Sequence, residues 1–148
     1  MLIENVIKRI QITSAERAKY YCDKDNWVVI NVAEPDEVPN STINIPLLSK
    51  QDWLSWDKPI SISKIRLDAV ASVINDIIVN TNININCTMG IERSPLVVYW
   101  YLHKYHNLSL LDSFDIVKKI RPEAENRIAW IKYDNYEEWQ EHNKKVYS

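Results

Sequence analysis

The pattern of apolar and polar positions predicts three strands. WVVINVA, at residues 27–33, is a nearly continuous apolar and β-branched run, which is typical of a strand buried in a sheet. TINIPL at 42–47 predicts a second strand, and the prolines at 35 and 39 break the chain between the two. NININ at 82–86 alternates polar and apolar residues, which predicts a third strand.

Helical spacing appears in the segments between and after these strands. Apolar residues recur at helical intervals between residues 63 and 79, and Thr13 with Glu16 forms a capping-box pattern that predicts a short helix to about Cys22. Ser94 and Pro95 suit the N-cap and first position of a helix over 96–105.

Two more helices are predicted towards the end of the chain. Ser109 with Asp112 opens one helix, and Pro122 ends it. The last helix is expected over 123–131. Strands that alternate with helices predict an α/β fold, in which helices flank a central, mostly parallel sheet. A chain of 148 residues fits a single domain over 1–148.

Charge and cysteine content exclude several classes of protein. The 18 basic and 20 acidic residues form no block of one sign, so neither nucleic acid nor a membrane is the expected partner. Two cysteines make no disulfide framework, and no signal-peptide apolar region or long apolar run is present. We therefore expect a cytoplasmic protein; its oligomeric state is left open.

The chemistry is concentrated between the third strand and the following helix, in NCTMGIERSP at residues 86–95. The single glycine of the chain, Gly90, lies there and allows a loop to close tightly around an anion. Backbone N–H groups of such a loop, the positive end of the next helix and the planar fork of Arg93 all favour phosphate. The predicted phosphate cradle is Thr88, Met89, Gly90, Ile91, Glu92 and Arg93.

Cys87 is the candidate nucleophile at the head of this loop. A helix N-terminus and a neighbouring cation lower the pKa of a thiol, and the resulting thiolate can attack phosphorus. Ser94 is placed to hydrogen-bond the sulfur and make it a better leaving group. The alternative for Cys87 is a small buried apolar residue. Cys22 is expected to be a packing residue, with a redox partner of Cys87 as the alternative.

These residues resemble the protein tyrosine phosphatase superfamily, and most closely its small dual-specificity phosphatases. The superfamily loop is His-Cys, five residues, then Arg and Ser or Thr, and the likeness extends over about residues 27–131. It implies hydrolysis of a phosphate monoester through a phosphocysteine, without a metal or other cofactor. Asn86 stands where the family has His. Asn can donate similar hydrogen bonds but carries no charge, so a phosphate-binding module without turnover is an alternative.

The resemblance also implies a general acid between the second strand and the next helix. Asp52 and Asp57 lie in that interval. Asp57 is preferred, because the WDKP sequence at 56–59 resembles the tryptophan-proline-aspartate loop of tyrosine phosphatases with its proline moved. Asp52 remains the second candidate.

The expected partner is a phosphorylated protein or peptide, with phosphotyrosine as substrate and phosphoserine or phosphothreonine as further ones. Glu92 within the loop is expected to repel polyanions, so RNA 5′-phosphates and phosphoinositides rank second. The alternative for Glu92 is a solvent-facing charge or a structural salt bridge. A rhodanese-like sulfurtransferase fits the strand, loop and Ser-Pro helix start less well.

Overall fold

A parallel sheet of four strands forms the centre of the fold. The computed structural model describes residues 1–48 and 60–133. The strands of its sheet are β1 (Ile10–Thr13), β2 (Trp27–Asn31), β3 (Ile43–Asn44) and β5 (Asn82–Asn86). They lie in the order β1-β5-β2-β3, and every neighbouring pair is parallel. Because β5 lies between β1 and β2, the loop that follows it leaves the sheet at its middle.

Helices pack around this sheet. In the described residues they are α1 (Ile3–Lys8), α2 (Ala15–Ala18), α3 (Lys64–Ile77), α4 (Arg93–His106) and α5 (Leu110–Ile120). Helix α4 packs against both α3 and α5, and all of its residues from 93 to 102 are buried. The helix that follows the candidate loop is therefore fixed in the core, together with the loop end attached to it.

Shorter elements complete the described part. A second, two-stranded parallel sheet joins β4 (Ile62–Ser63) to β6 (Ile131–Lys132). Three 3-10 helices lie at Lys19–Tyr21, Pro35–Glu37 and Ile128–Trp130. Within the described residues, no helix is long and apolar enough to cross a membrane.

The predicted fold class is confirmed, since helices flank a central parallel sheet. The strands predicted at 27–33, 42–47 and 82–86 correspond to β2, β3 and β5, and the helix predicted at 63–79 is α3. The capping prediction at Thr13 is wrong by one residue. Thr13 ends β1, and the Ser14 hydroxyl accepts the Arg17 N–H as the N-cap of α2.

Two other boundaries differ from the prediction. Helix α4 begins at Arg93, so Ser94 and Pro95 lie inside its first turn and Glu92 occupies the N-cap position. The helix predicted over 123–131 is wrong, because the chain there forms only a 3-10 turn and β6. Residues of this segment make tertiary contacts instead. For example, the Arg127 N–H donates to the Tyr99 hydroxyl at 3.0 Å.

Candidate active site

A cleft opens at the carboxyl end of β5. Cys87 directly follows this strand, and the loop then runs to Arg93, where α4 begins. The cleft has a volume of about 360 Å³. Its lining residues come from this loop and from the segment after β2: Glu34, Glu37, Cys87, Thr88, Met89, Glu92 and Arg93.

The sulfur of Cys87 is surrounded by hydrogen-bond donors. Its side chain is only 2% exposed, and the sulfur lies 3.3 Å from the Ser94 hydroxyl oxygen. Burial acts to raise the pKa of this thiol, but hydrogen bonds from the Ser94 hydroxyl, the Ser94 N–H and the Gly90 N–H, with the charge of Arg93, outweigh it and lower the pKa. The site therefore favours a thiolate, the nucleophilic form of cysteine.

Arg93 lies beside the sulfur as the first residue of α4. Its side chain is 5% exposed, and its Nη2 donates to the Thr88 hydroxyl oxygen at 2.8 Å. A cation is thus buried within the cradle, although burying a charge is costly unless it has partners. Its position at the start of a helix adds its charge to the positive end of the helix dipole.

Gly90 has φ of 72°, which lies in the left-handed region that glycine adopts without strain. A Cβ at this position would lie 2.5 Å from the Thr13 carbonyl carbon and 2.8 Å from the Ser14 nitrogen. A hydrogen bond also joins the loop to the segment after β1, since the Ala15 N–H donates to the Thr88 carbonyl at 3.0 Å. The cradle therefore packs directly on the end of β1, at a distance that only glycine allows.

Arg121, just after α5, holds the opposite side of the loop. Its Nε donates to the Gly90 carbonyl at 3.1 Å, and its Nη2 donates to the Met89 carbonyl at 3.2 Å. The Glu125 N–H similarly donates to the Ile91 carbonyl at 2.9 Å. The C=O and N–H of a trans peptide point in opposite directions. Because Arg121 and Glu125 bind the loop carbonyls on one side, the loop N–H groups point to the other side. The Gly90 N–H, for example, donates to the Cys87 sulfur.

The sequence by itself predicts no role for Arg121, although this residue lies in the segment that resembles the family. The only signal was the Arg-Pro pair directly after a helix, which by itself says nothing about distant carbonyls. The contact joins positions more than 30 residues apart, so it becomes visible only in the folded chain.

Asn86 belongs to a row of asparagines across three strands. It is opposite Asn31 in the register of β5 and β2, and Asn31 is opposite Asn44 of β3. The Asn86 amide donates to the Asn31 Oδ1 at 3.0 Å, and the Asn31 amide donates to the Asn44 Oδ1 at 3.1 Å. Asn86 also donates to the Cys87 carbonyl at 3.4 Å. It thus holds the backbone beneath the sulfur through an uncharged network.

The charge of Glu92 is paired. Its Oε2 accepts from the Arg127 Nε at 2.7 Å, and Arg127 also pairs with Glu125. The structural salt bridge that the sequence left as an alternative is therefore present. Glu34 and Glu37 supply further acidic lining on the other side of the cleft. Neither was identified from the sequence.

The remaining predicted site residues differ in whether they line the cleft. Met89 lines the cleft with a side chain that is 63% exposed, whereas Ile91 is half-buried. Asp57, the predicted general acid, and Asp52 both lie outside the described residues. Cys22 packs in a separate small cluster with Ala15, Ala18, Val29 and Val38, and both cysteines are free thiols.

No metal centre emerges from residues 1–48 and 60–133. Among them, no group of three or more His, Cys, Asp or Glu side chains is placed to hold a metal ion. His103 instead contacts the Leu108 carbonyl through Nδ1 at 2.7 Å, and His106 contacts the Tyr101 hydroxyl through Nε2 at 3.0 Å.

Comparison with known proteins identifies the family of this chain. The family described as "Dual specificity phosphatase, catalytic domain" matches residues 12–133. Mouse dual specificity protein phosphatase 14 is 28% identical over 137 residues, which cover 86% of this chain and 68% of that protein.

Solved structures share the fold at lower identity. Human DUSP28 superposes with a TM-score of 0.65 at 19% identity, over 96% of this chain and 94% of that one. PTPMT1 in complex with PI(5)P superposes with a TM-score of 0.63 at 14% identity, over 96% and 94%. The family match spans most of the sheet, the Cys87 loop and the anchors after α5, and so this chain belongs to the dual specificity phosphatase family.

Proposed function

We propose that this protein hydrolyses phosphate monoesters on phosphoproteins through a phosphocysteine at Cys87. The observation that carries the proposal is the environment of the Cys87 sulfur. The Ser94 hydroxyl, two backbone N–H groups and the charge of Arg93 favour its thiolate at the floor of an open cleft.

In the first step the thiolate attacks the phosphorus of the substrate. The sulfur electron pair forms the S–P bond, and the ester P–O bond breaks with its electrons on the leaving oxygen. Arg93 and the loop N–H groups hold the equatorial oxygens, where charge gathers in the transition state. Asp57, or Asp52 in its place, gives its proton to the leaving oxygen.

In the second step water attacks the phosphocysteine. The same aspartate, now a carboxylate, takes a proton from the water, and the S–P bond breaks with its electrons on sulfur. The Ser94 hydroxyl, 3.3 Å from that sulfur, donates to the thiolate as it leaves. Inorganic phosphate is released, and the enzyme returns to its starting state.

The charge of the cleft supports a substrate with a single phosphate. Glu34, Glu37 and Glu92 line it together with Arg93, and Glu92 is neutralised by its pair with Arg127. The two glutamates after β2 therefore oppose a polyanion more than Glu92 does. A phosphorylated side chain on a protein, with phosphotyrosine first, meets this requirement better than a phosphoinositide or an RNA 5′-phosphate. Location in the cytoplasm is part of the same proposal.

The test is a comparison of kcat/KM for four substrates: a phosphotyrosine peptide, a phosphoserine peptide, a phosphoinositide and a 5′-phosphorylated RNA. The phosphotyrosine peptide should be the best of the four. A higher kcat/KM for the phosphoinositide or the RNA would contradict the assignment of phosphoproteins as the substrate class. Phosphate binding without turnover of any of them would assign a binding module instead.

A further inference from the structure

A chain of hydrogen bonds joins Arg93 to Glu37, a residue outside the loop. The Arg93 Nη2 donates to the Thr88 Oγ1 at 2.8 Å, and the Thr88 hydroxyl donates to the Glu37 Oε1 at 2.6 Å. A threonine hydroxyl has one hydrogen, so a bond to a carboxylate leaves its lone pairs facing the guanidinium. The chain therefore has a single direction, from the cation through the hydroxyl to the carboxylate.

Glu37 is itself held in place at the end of this chain. It is the last residue of the 3-10 helix Pro35–Glu37, and its Oε2 accepts the Glu34 N–H at 3.1 Å. The Glu34 side chain accepts the Glu37 N–H in return, which completes a capping box. Thr88 is fixed as well, since its carbonyl accepts the Ala15 N–H at 3.0 Å.

We propose that Glu37 is a positioning residue, which sets the orientation of the Arg93 guanidinium through Thr88. The inference rests on the proposed function in that it assigns Arg93 the task of holding the phosphate oxygens. The bond to Thr88 uses one of the five N–H donors of the guanidinium and fixes the plane of its fork. Fixing the fork beforehand lowers the cost of ordering it when the anion binds.

The direction in which oxyanion affinity changes when Glu37 is removed distinguishes a positioning role from simple charge repulsion. A carboxylate beside an anion site repels the anion, so its removal should by charge alone tighten oxyanion binding. If Glu37 orients Arg93, its removal should weaken binding instead. Asp36 provides the matched control, because it is an exposed acid in the same 3-10 helix and does not line the cleft.

The experiment measures the dissociation constant of tungstate, a phosphate analogue, by calorimetry, together with kcat/KM for para-nitrophenyl phosphate. We expect Glu37→Ala and Thr88→Val to weaken tungstate binding by about 10-fold, the lower end of the range for a lost hydrogen bond to a charged group. Thr88→Ser, which keeps the hydroxyl, and Glu37→Gln, which keeps an acceptor, should restore most of the affinity. Asp36→Ala should leave binding unchanged or slightly tighter.

Thermal unfolding of each variant shows whether its fold is intact, and the two conservative variants keep the test informative if Glu37→Ala or Thr88→Val is unstable. Folded Glu37→Ala and Thr88→Val proteins that bind tungstate as tightly as the wild type would overturn the inference. Failure of the wild type to bind tungstate, or an equal loss in Asp36→Ala, would also overturn it. A wild type that binds tungstate without turnover would contradict the proposed function and leave the positioning of Arg93 to be decided by these affinities.

Discussion

The Ser94 hydroxyl oxygen lies 3.3 Å from the Cys87 sulfur, and both side chains are buried. In the mechanism that we propose, this hydroxyl stabilises the thiolate both before attack and when it leaves the phosphocysteine. It links the first residues of α4 to the head of the loop, so the helix that is fixed in the core also fixes the nucleophile.

Replacement of Ser94 by alanine should therefore slow the second chemical step more than the first. We expect the breakdown of the phosphocysteine to fall by about 10–100-fold, which corresponds to the loss of one hydrogen bond to a charged group. Rapid mixing with para-nitrophenyl phosphate should then show a burst of nitrophenol. Ser113→Ala, another buried serine, is the control and should show no burst. Equal slowing of both steps in Ser94→Ala would contradict this role.

Cys87 should react faster than Cys22, although Cys22 is the more exposed of the two thiols. The pKa of Cys87 is lowered, whereas burial and the neighbouring Asp23 raise the pKa of Cys22, which is the more exposed of the two. A thiol reacts as its thiolate, which forms only as the pH rises through its pKa, so a lowered pKa moves reactivity to lower pH.

Iodoacetamide between about pH 5 and 7, where an ordinary thiol with a pKa of about 8.5 is almost wholly protonated, should therefore label Cys87 first. Mass spectrometry of the labelled peptides measures the two rates separately. Tungstate should protect Cys87 and leave Cys22 unaffected. Faster labelling of Cys22 would show that exposure rather than pKa controls these thiols.

Even the smallest side chain at Gly90 should damage the cradle. In Gly90→Ala the new Cβ meets the Thr13 backbone at 2.5 Å, and the positive φ adds a cost of about 1–2 kcal/mol. We expect lower thermal stability and a loss of kcat/KM that exceeds the loss of folded protein. Asn107→Ala is the matched control, since Asn107 has φ of 55° at the end of α4 and should lose stability alone. Full activity in Gly90→Ala would contradict the geometry of the loop.

The general acid is tested by comparing its two candidates. Asp57→Asn should reduce turnover of a phosphotyrosine peptide by about 10²–10⁴-fold, the usual contribution of general acid catalysis. Because the acid works in its protonated form, its loss should flatten the alkaline limb of the pH profile. The defect should shrink for substrates with good leaving groups. A collapse in Asp52→Asn with Asp57→Asn unaffected would assign the role to Asp52.

Local patterns predicted much of this molecule. The strand before Cys87 and the α/β class follow from the pattern of apolar residues along the chain. The first strand was missed because IQIT has only four residues and lies directly against a helix and a capping sequence. At 123–131 a helix was predicted but is absent, because contacts with distant residues override the local helical preference.

The parts of the site that were not predicted are those that join distant segments. Arg121 reaches the loop from the end of α5, and Glu37 reaches it from the segment after β2. Neither residue has a local signature, because each acts through the position of its side chain in the folded chain. The pairing of Glu92 with Arg127, 35 residues away, likewise required the structure.

The most direct test of the central claim is phosphate release from para-nitrophenyl phosphate by the wild type and by Cys87→Ser. The wild type should turn over steadily, and Cys87→Ser should lose turnover while still binding tungstate, because the cradle remains without its nucleophile. Arg93→Lys should also fail badly, since a point charge does not replace the planar fork. Turnover by Cys87→Ser at a rate close to that of the wild type would contradict the assignment of Cys87 as the covalent nucleophile.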